Sequence, residues 1–241
     1  MTSPRLSRRL PLLFILVGAA LLLCGSYIGL FVAPPERMMG EVQRLMYVHV
    51  PTAWNSMLAL TFAFIAALAY LIGGAWKWDA RMEAGIEVGV VLAFLLCVQG
   101  SIWAKPTWGV WWDWDPRLTT TAVLLLAFAG IIALRRFVDD PGRRATWSAV
   151  ATIIAFADVP IVYFSVKWWN SLHQLQSTPQ TVSSAFHLPL RMNAFGILFL
   201  MIGWIMLRSR IAQARLESEL APPPAATSFS DNAHATAGGH R

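Results

Sequence analysis

The sequence is poor in charge and in cysteine. Only 13% of its 241 residues are Asp, Glu, Lys or Arg, whereas soluble domains carry about 25%. Its two cysteines, Cys24 and Cys97, both lie inside apolar runs, which excludes a disulfide framework and a CxxC redox pair. No CxxCH sequence is present, so the chain is not a c-type cytochrome. These absences argue against a water-soluble globule and favour a membrane protein.

Motifs for nucleotide binding and for hydrolysis are absent as well. No Walker A glycine loop is found, so any use of ATP belongs to partner proteins. The loops predicted below to face outward contain no Ser–His–Asp or zinc-type motif. The net charge of +6 would favour a nucleic-acid partner in a soluble protein, but here it is assigned to charges that flank membrane spans. We therefore expect no nucleic-acid partner and no enzyme activity.

The sequence does contain long apolar runs. Each run is close to or above the roughly 20 residues that a helix needs to cross the hydrocarbon of a membrane. Because only helices satisfy the backbone of such runs in lipid, we predict an all-α polytopic membrane protein with six transmembrane helices, surrounded by membrane lipid. The first run is longer than a signal-peptide core and is interpreted as a retained anchor. The predicted spans are residues 10–32, 52–76, 84–104, 118–134, 145–166 and 192–207.

Lysine and arginine are distributed unevenly between the two sides of these spans. Of the 19 Lys and Arg residues, 13 lie on the side of the chain termini and 6 on the other. The positive-inside rule therefore predicts that both termini are cytoplasmic. We divide the chain into a cytoplasmic N-terminus (1–9), a membrane domain (10–220) and a C-terminal tail (221–241), which is predicted to be disordered because it is rich in Ala, Pro, Ser and Gly. The outer segments are then residues 33–51, 105–117 and 167–191.

Tryptophan is concentrated in one outer loop. Five of the 12 tryptophans fall within WAKPTWGVWWDWDPRLT, residues 103–119. An aromatic belt at the membrane interface does not account for five rings beside two carboxylates and two cations. An apolar surface with charged rims suits a large planar ligand that carries charges of its own. The tryptophans are Trp103, Trp108, Trp111, Trp112 and Trp114, and the charged residues are Lys105, Asp113, Asp115 and Arg117.

The string WGVWWDWDPRLT resembles the tryptophan-rich (WWD) signature of the heme-handling protein family. Its ending, Arg117-Leu118-Thr119, and the number of spans resemble the CcmC branch, heme exporter protein C. YVHVP at 47–51, GSIWAKPTWG at 100–109 and PIVYFSVKWWNSLHQ at 160–174 extend the resemblance over most of the chain.

The resemblance implies a function in cytochrome c biogenesis. It implies that heme b is held at the periplasmic face of the bacterial inner membrane and is passed to a periplasmic CcmE-type heme chaperone. The further partners that it implies are a small single-span CcmD-type protein and an ATP-binding cassette complex of CcmA and CcmB type. Whether the covalent attachment of heme to the chaperone is assisted here stays open, since much of that chemistry belongs to the cofactor.

Three histidines lie in or beside the outer segments, and imidazole is the usual axial ligand of heme iron. His49 is predicted near the outer end of the second span, with Pro51 in the first turn of that helix. His173 follows the fifth span. The resemblance implies that His49 and His173 are the two axial ligands of the heme iron. His187 has no such match and is interpreted as an interfacial polar group.

The two propionates of heme favour arginine or lysine. Among the outer cations Arg117, Lys105 and Arg191, we prefer Arg117 because it closes the tryptophan motif. Anchoring at lipid headgroups is the alternative for all three. Asp115 is expected to orient Arg117 or an indole N–H group. The predicted heme-binding set is His49, His173, Trp103, Trp108, Trp111, Trp112, Trp114, Asp115 and Arg117.

Two other functions stay open on the sequence alone. A heme or small-molecule permease would conduct its ligand between the helices and would use Asp158 inside the fifth span with Gly85, Gly89 and Gly100 of the third. Internal repeats, which transporters often carry, are not evident. A membrane scaffold would use the tryptophans only to dock a partner. For Asp158 we prefer a structural role beside Pro160.

Overall fold

Helices account for all six predicted spans in the computed structural model, which describes residues 4–174 and 182–221. Within these ranges the only β pairing is an isolated bridge between Glu36 and Gly40. Six helical segments are long and apolar enough to cross a membrane, so the predicted all-α fold with six spans is confirmed. The helices are α1 (Pro4–Tyr27), α2 (Met46–Gly73), α3 (Trp76–Trp108), α4 (Pro116–Phe137), α5 (Pro141–Phe156), α6 (Asp158–Trp168) and α7 (His187–Leu220).

The chain ends are described only in part. The tail that was predicted to be disordered, 221–241, lies outside the described residues except for Ala221. Residues 1–3 of the predicted cytoplasmic N-terminus also lie outside them. The division of the chain at residues 9 and 220 therefore stays a prediction.

The second span ends earlier than predicted. Gly74 adopts a left-handed conformation with φ +63°, and its N–H donates to the Tyr70 carbonyl at 2.7 Å. This is a common helix terminator, because glycine pays no Cβ penalty at positive φ. Trp76, which was assigned to the second span, is instead the first residue of α3. The boundary was misplaced because the apolar run continues without interruption through the reversal of the chain.

The fifth span consists of two helices. α5 and α6 meet at Ala157 and together cover Pro141–Trp168. Pro160 lies in the first turn of α6. The N–H groups of a first turn have no partner within the helix, so the missing N–H of proline costs no helical hydrogen bond there. Asp158 begins α6 and is partly buried, and its Oδ2 has no hydrogen-bond partner among the described residues.

Glycine allows close packing at two helix contacts. A Cβ on Gly18 of α1 would lie 2.7 Å from the Gly196 carbonyl oxygen of α7. Gly203 of α7 makes a similar contact with Ile15 of α1. The two contacts show that α1 and α7 are antiparallel, so the start of α1 and the end of α7 lie at the same end of the bundle. A Cβ on Gly89 of α3 would lie 2.4 Å from the Leu60 side chain of α2.

The contacts of these glycines bear on the permease hypothesis. Gly89 and Gly85 both lie at the contact of α3 with α2, and a Cβ on Gly85 would lie 3.0 Å from the Phe62 ring. Because these two glycines have no side chain, α3 can pack closely against α2 at this contact. Gly100 lies at the other end of α3, beside His49.

Candidate functional site

A cleft opens at the bundle end remote from the start of α1 and the end of α7. Its walls come from the start of α2, the end of α3, the start of α4 and the middle of α6. Residues 39, 112 and 172–174, which lie outside the helices, complete them. The α2 residues of the wall recur at helical spacing and so share one face of that helix. They are Met46, His49, Val50, Ala53, Trp54 and Met57.

Two imidazole rings face each other in this cleft. The ring centroids of His49 and His173 are 6.2 Å apart and their planes are inclined by only 15°. A metal-bound imidazole has its nitrogen about 2.0 Å from the metal and its centroid about 1 Å further away, so two imidazoles on opposite sides of one ion have centroids roughly 6 Å apart. The observed spacing of the two rings is compatible with two ligands to a single metal ion.

His49 has a ring nitrogen without a hydrogen-bond partner among the described residues. The residue is 7% exposed, and the nitrogen, Nδ1, is buried. Buried polar atoms are rarely left unpaired, so this nitrogen is an exception among the described residues. A Cβ on Gly100 would lie 3.3 Å from His49 Cε1, so the glycine leaves room for the ring.

Two tryptophans of α3 flank the imidazoles. Trp103 contacts the His49 ring edge to face at 5.4 Å between centroids, and Trp108 contacts the His173 ring in the same way at 5.7 Å. Edge-to-face packing restricts the orientation of each imidazole. The end of α3 therefore positions both histidines, although they come from different parts of the chain.

The turn of α2 that carries His49 is fixed by α7. Pro51 lies inside α2 and not in its first turn as predicted, because the helix begins at Met46. Proline has no N–H, so the Tyr47 carbonyl four residues earlier lacks its helical donor. Asn193 of α7, which is fully buried, donates its side-chain N–H to this carbonyl at 2.7 Å. One turn further on, Asn55 of α2 donates to the Ala194 carbonyl of α7 at 3.2 Å.

Asp115 joins the start of α4 to the segment that carries His173. One carboxylate oxygen accepts the Arg117 backbone N–H at 2.9 Å, as an N-cap of α4, and the other accepts the Leu172 backbone N–H at 2.7 Å. Asp115 is only 4% exposed. Its carboxylate thus binds two backbone amides, whereas the sequence suggested that it orients the guanidinium group or an indole. It fixes the residue immediately before His173.

Arg117 lies in the wall of the cleft beside both histidines. Its Nη1 donates to the Gln174 carbonyl at 3.5 Å. Burial first, and then the positive charge of Arg117, lower the pKa of His173 to about 4, against the opposing effect of Asp115. His173 is therefore neutral at neutral pH, which is the form of imidazole that binds a metal ion.

The five tryptophans of the motif divide into two groups. Trp103, Trp108 and Trp112 line the cleft. Trp111 and Trp114 do not line it and are 60% and 78% exposed, although Trp114 contacts the Trp112 ring. The helix α3 continues to Trp108 and α4 begins at Pro116, so the non-helical part of the predicted loop 103–119 is residues 109–115.

The other outer candidates lie apart from the cleft. Lys105 is exposed and donates to the Gly109 carbonyl at 2.9 Å, at the end of its own helix. Arg191 is exposed on α7, and Asp113 is exposed beside Asp115. His187 Nε2 lies 2.9 Å from the Val182 carbonyl oxygen. Arg117 is thus the one cation in the wall of the cleft among the residues that the structure describes.

Several wall residues were not proposed from the sequence. Trp54 and Met57 follow His49 at helical spacing on α2, so the 3.6-residue period was a usable signal for them. Met39 and Gln174 contact each other through Gln174 Nε2 and Met39 Sδ at 3.6 Å, across 135 residues of sequence. No local pattern indicates such a contact.

Six helices that are long and apolar enough to cross a membrane, with a cleft at one end lined by histidines and tryptophans, define a polytopic membrane protein. A family model described as heme exporter protein C matches residues 2–221. The chain belongs to the heme exporter protein C family, as the tryptophan motif predicted.

Individual relatives agree with this membership. The chain is 36% identical over 200 residues to heme exporter protein C of Bradyrhizobium diazoefficiens, and the aligned region covers 79% of this chain and 76% of the relative. It is 34% identical over 196 residues to heme exporter protein C of Escherichia coli K12, covering 81% and 80%. A ccmC-like mitochondrial protein of Arabidopsis thaliana, named for cytochrome c biosynthesis, is 30% identical over 202 residues, covering 82% and 77%.

Proposed function

We propose that this protein binds heme as cargo in the cleft, with His49 and His173 as the axial ligands of its iron. The observation that carries the proposal is the spacing of the two imidazole rings, 6.2 Å between centroids with an angle of 15° between planes. The names of the relatives, heme exporter protein C, support heme as the ligand. We assign heme b, the form that is not yet attached to a protein through its vinyl groups.

The remaining wall residues suit the other parts of a heme molecule. Trp103, Trp108 and Trp112 offer apolar surface to a porphyrin. Arg117 offers the positive charge that a propionate needs, and its guanidinium group can bind a carboxylate through two N–H groups. The exposed Trp111 and Trp114 are left at the rim, where they remain part of the proposed heme-binding surface.

We further propose that the cleft faces the periplasm and that both chain termini are cytoplasmic. The bias of 13 Lys and Arg residues against 6 supports this orientation in the bacterial inner membrane. In this orientation the cleft is positioned to pass heme to a periplasmic CcmE-type chaperone. A CcmD-type single-span protein and an ATP-binding cassette complex of CcmA and CcmB type complete the proposed set of partners. The protein itself acts by binding and transfer of heme.

Hemin titration of the purified full-length protein tests this function. We expect a saturable Soret band at one hemin per chain. Replacing Arg117 with glutamine should lower hemin affinity about tenfold, since a charge-assisted hydrogen bond contributes about 1.5–3 kcal/mol and tenfold corresponds to about 1.4 kcal/mol. Lys105→Gln, which removes a cation from the same end of the bundle outside the cleft, should change the affinity less than about twofold.

Hemin dimethyl ester separates a propionate contact from a structural effect of the substitution. The ester has no propionate charge, so its affinity should be equal in wild type and Arg117→Gln. Equal losses for hemin and for its ester would contradict the propionate role of Arg117. Absence of any saturable Soret band in the wild type would contradict the proposed function as a whole.

A further inference from the structure

A second cavity, of about 310 Å³, lies at the bundle end opposite the heme cleft. It is enclosed by the third and fourth turns of α3, the first turn of α5, the end of α4 and the C-terminal half of α7. Five guanidinium groups line it, those of Arg135, Arg136, Arg144, Arg208 and Arg215. Three carboxylates line it with them and a fourth, that of Asp79, pairs with Arg135. The cations therefore still outnumber the carboxylates by one, which is the first indication of an anionic ligand.

The carboxylates are shared, so they do not satisfy every guanidinium donor. Arg135 binds Asp79, which lies behind the cavity wall, at 2.8 and 3.0 Å, and binds Glu83 at 2.6 Å. The same Glu83 also accepts from Arg215, at 2.7 and 2.8 Å. One carboxylate thus serves two guanidinium groups.

Two buried arginines keep an unpaired donor. Arg135 and Arg144 are 9% and 8% exposed, and the Nε of each is buried without a hydrogen-bond partner among the described residues. The Arg144 side chain is held in place by an ion pair with Glu219. An unpaired buried donor, above all on a charged group, is costly. Both arginines line the cavity, so an acceptor bound there would offset this cost.

Arg136 supplies a further cation without a partner. It is exposed at the end of α4 and makes no ion pair with the residues that the structure describes. In contrast, Arg208 is fully engaged with Glu87 through two hydrogen bonds of 2.6 and 2.7 Å. Among the described residues of the wall, Arg136 is therefore the cation without an ion pair, while Arg135 and Arg144 each keep one unpaired Nε donor.

We propose that this cavity binds a phosphate-type oxyanion. A phosphate group presents several acceptor oxygens at once, which suits the separate donors of Arg135, Arg136 and Arg144 better than a single carboxylate does. The cavity lies at helix ends, at the level where a membrane meets water, so both the phosphate of an anionic lipid headgroup and a soluble phosphate can reach it. The site is separate from the heme cleft and does not depend on heme binding.

Thermal unfolding of the full-length protein in nanodiscs tests the proposal and separates the two sources. Nanodiscs of phosphatidylcholine alone are compared with nanodiscs that also contain phosphatidylglycerol. Each is measured in inorganic phosphate and in chloride at equal ionic strength. Binding at well above the dissociation constant should raise Tm by about 3–5 °C. A rise with phosphate in phosphatidylcholine assigns the site to a soluble phosphate, and a rise only with phosphatidylglycerol assigns it to a lipid headgroup.

Two exposed arginines provide the variant and its matched control. Arg136→Gln removes a cation from the cavity wall, and Arg143→Gln removes one from the exposed start of α5, outside the wall. The rise in Tm should fall to half or less in Arg136→Gln and should be unchanged in Arg143→Gln. The proposal is overturned if neither anion raises the Tm of the wild type, or if the two variants respond alike.

Discussion

Replacing either His49 or His173 with alanine should lower hemin affinity and change the coordination of the bound iron. With one imidazole removed, the heme should convert from a six-coordinate low-spin form to a five-coordinate high-spin form, seen as a shift and broadening of the Soret band. Loss of a direct ligand should cost at least as much as the roughly 10- to 100-fold that outer-shell changes cost at metal sites. The double variant should bind hemin only weakly, through the tryptophans and Arg117.

His187→Ala is the matched control for both substitutions. His187 is also a histidine at this end of the bundle, but its Nε2 lies beside the Val182 carbonyl and its ring does not line the cleft. Its replacement should leave the spectrum unchanged. Free imidazole should restore the low-spin spectrum of His49→Ala and His173→Ala, because it can fill the space that the side chain leaves. Unchanged spectra in both variants would show that neither histidine binds the iron.

Replacing Asp115 with alanine should loosen the segment that carries His173. The substitution removes the N-cap of α4 and leaves the Leu172 N–H without its acceptor. Loss of an N-cap costs about 1 kcal/mol, and loss of a hydrogen bond to a charged group about 1.5–3 kcal/mol. We therefore expect a lower Tm together with an about tenfold loss of hemin affinity and a partial high-spin signal. Titration, spectroscopy and thermal unfolding of the same preparation give all three values.

Asp113→Ala is the control for Asp115→Ala, since Asp113 lies two residues away and is exposed. It should change neither Tm nor the heme spectrum. Asp115→Asn should be intermediate, because the asparagine side chain has one acceptor oxygen where the carboxylate has two. If Asp115→Ala lowered Tm but left hemin affinity and spin state unchanged, Asp115 would serve the fold alone and would have no part in positioning His173.

The sequence predicted the spans well because a membrane span is a local property. A run of apolar residues of sufficient length has only the helix available to it in lipid. The positions of helix ends also depend on contacts with distant parts of the chain, and they were less well predicted. Pro51 was placed in a first turn, but a side chain from α7, Asn193, supplies the donor that the Tyr47 carbonyl loses to proline. That contact joins residues 146 positions apart, so no local pattern reveals it.

The site was predictable where its residues share a helix end or a motif. The tryptophan motif drew attention to Trp103, Trp108, Trp112 and Arg117, and all four line the cleft. It does not reveal that Trp111 and Trp114 lie outside the wall, because helix α3 ends at Trp108 and the 3.6-residue period no longer applies beyond it. The backbone contact from Asp115 to Leu172 spans 57 residues and is set by the tertiary fold.

Electron paramagnetic resonance of the ferric heme bound to the wild-type protein tests the central claim most directly. The claim is that one iron lies between His49 and His173. It predicts a six-coordinate low-spin signal with two nitrogen ligands, which is lost when the two histidines are replaced together. A five-coordinate high-spin signal in the wild type, or a low-spin signal that survives the double replacement, would contradict it.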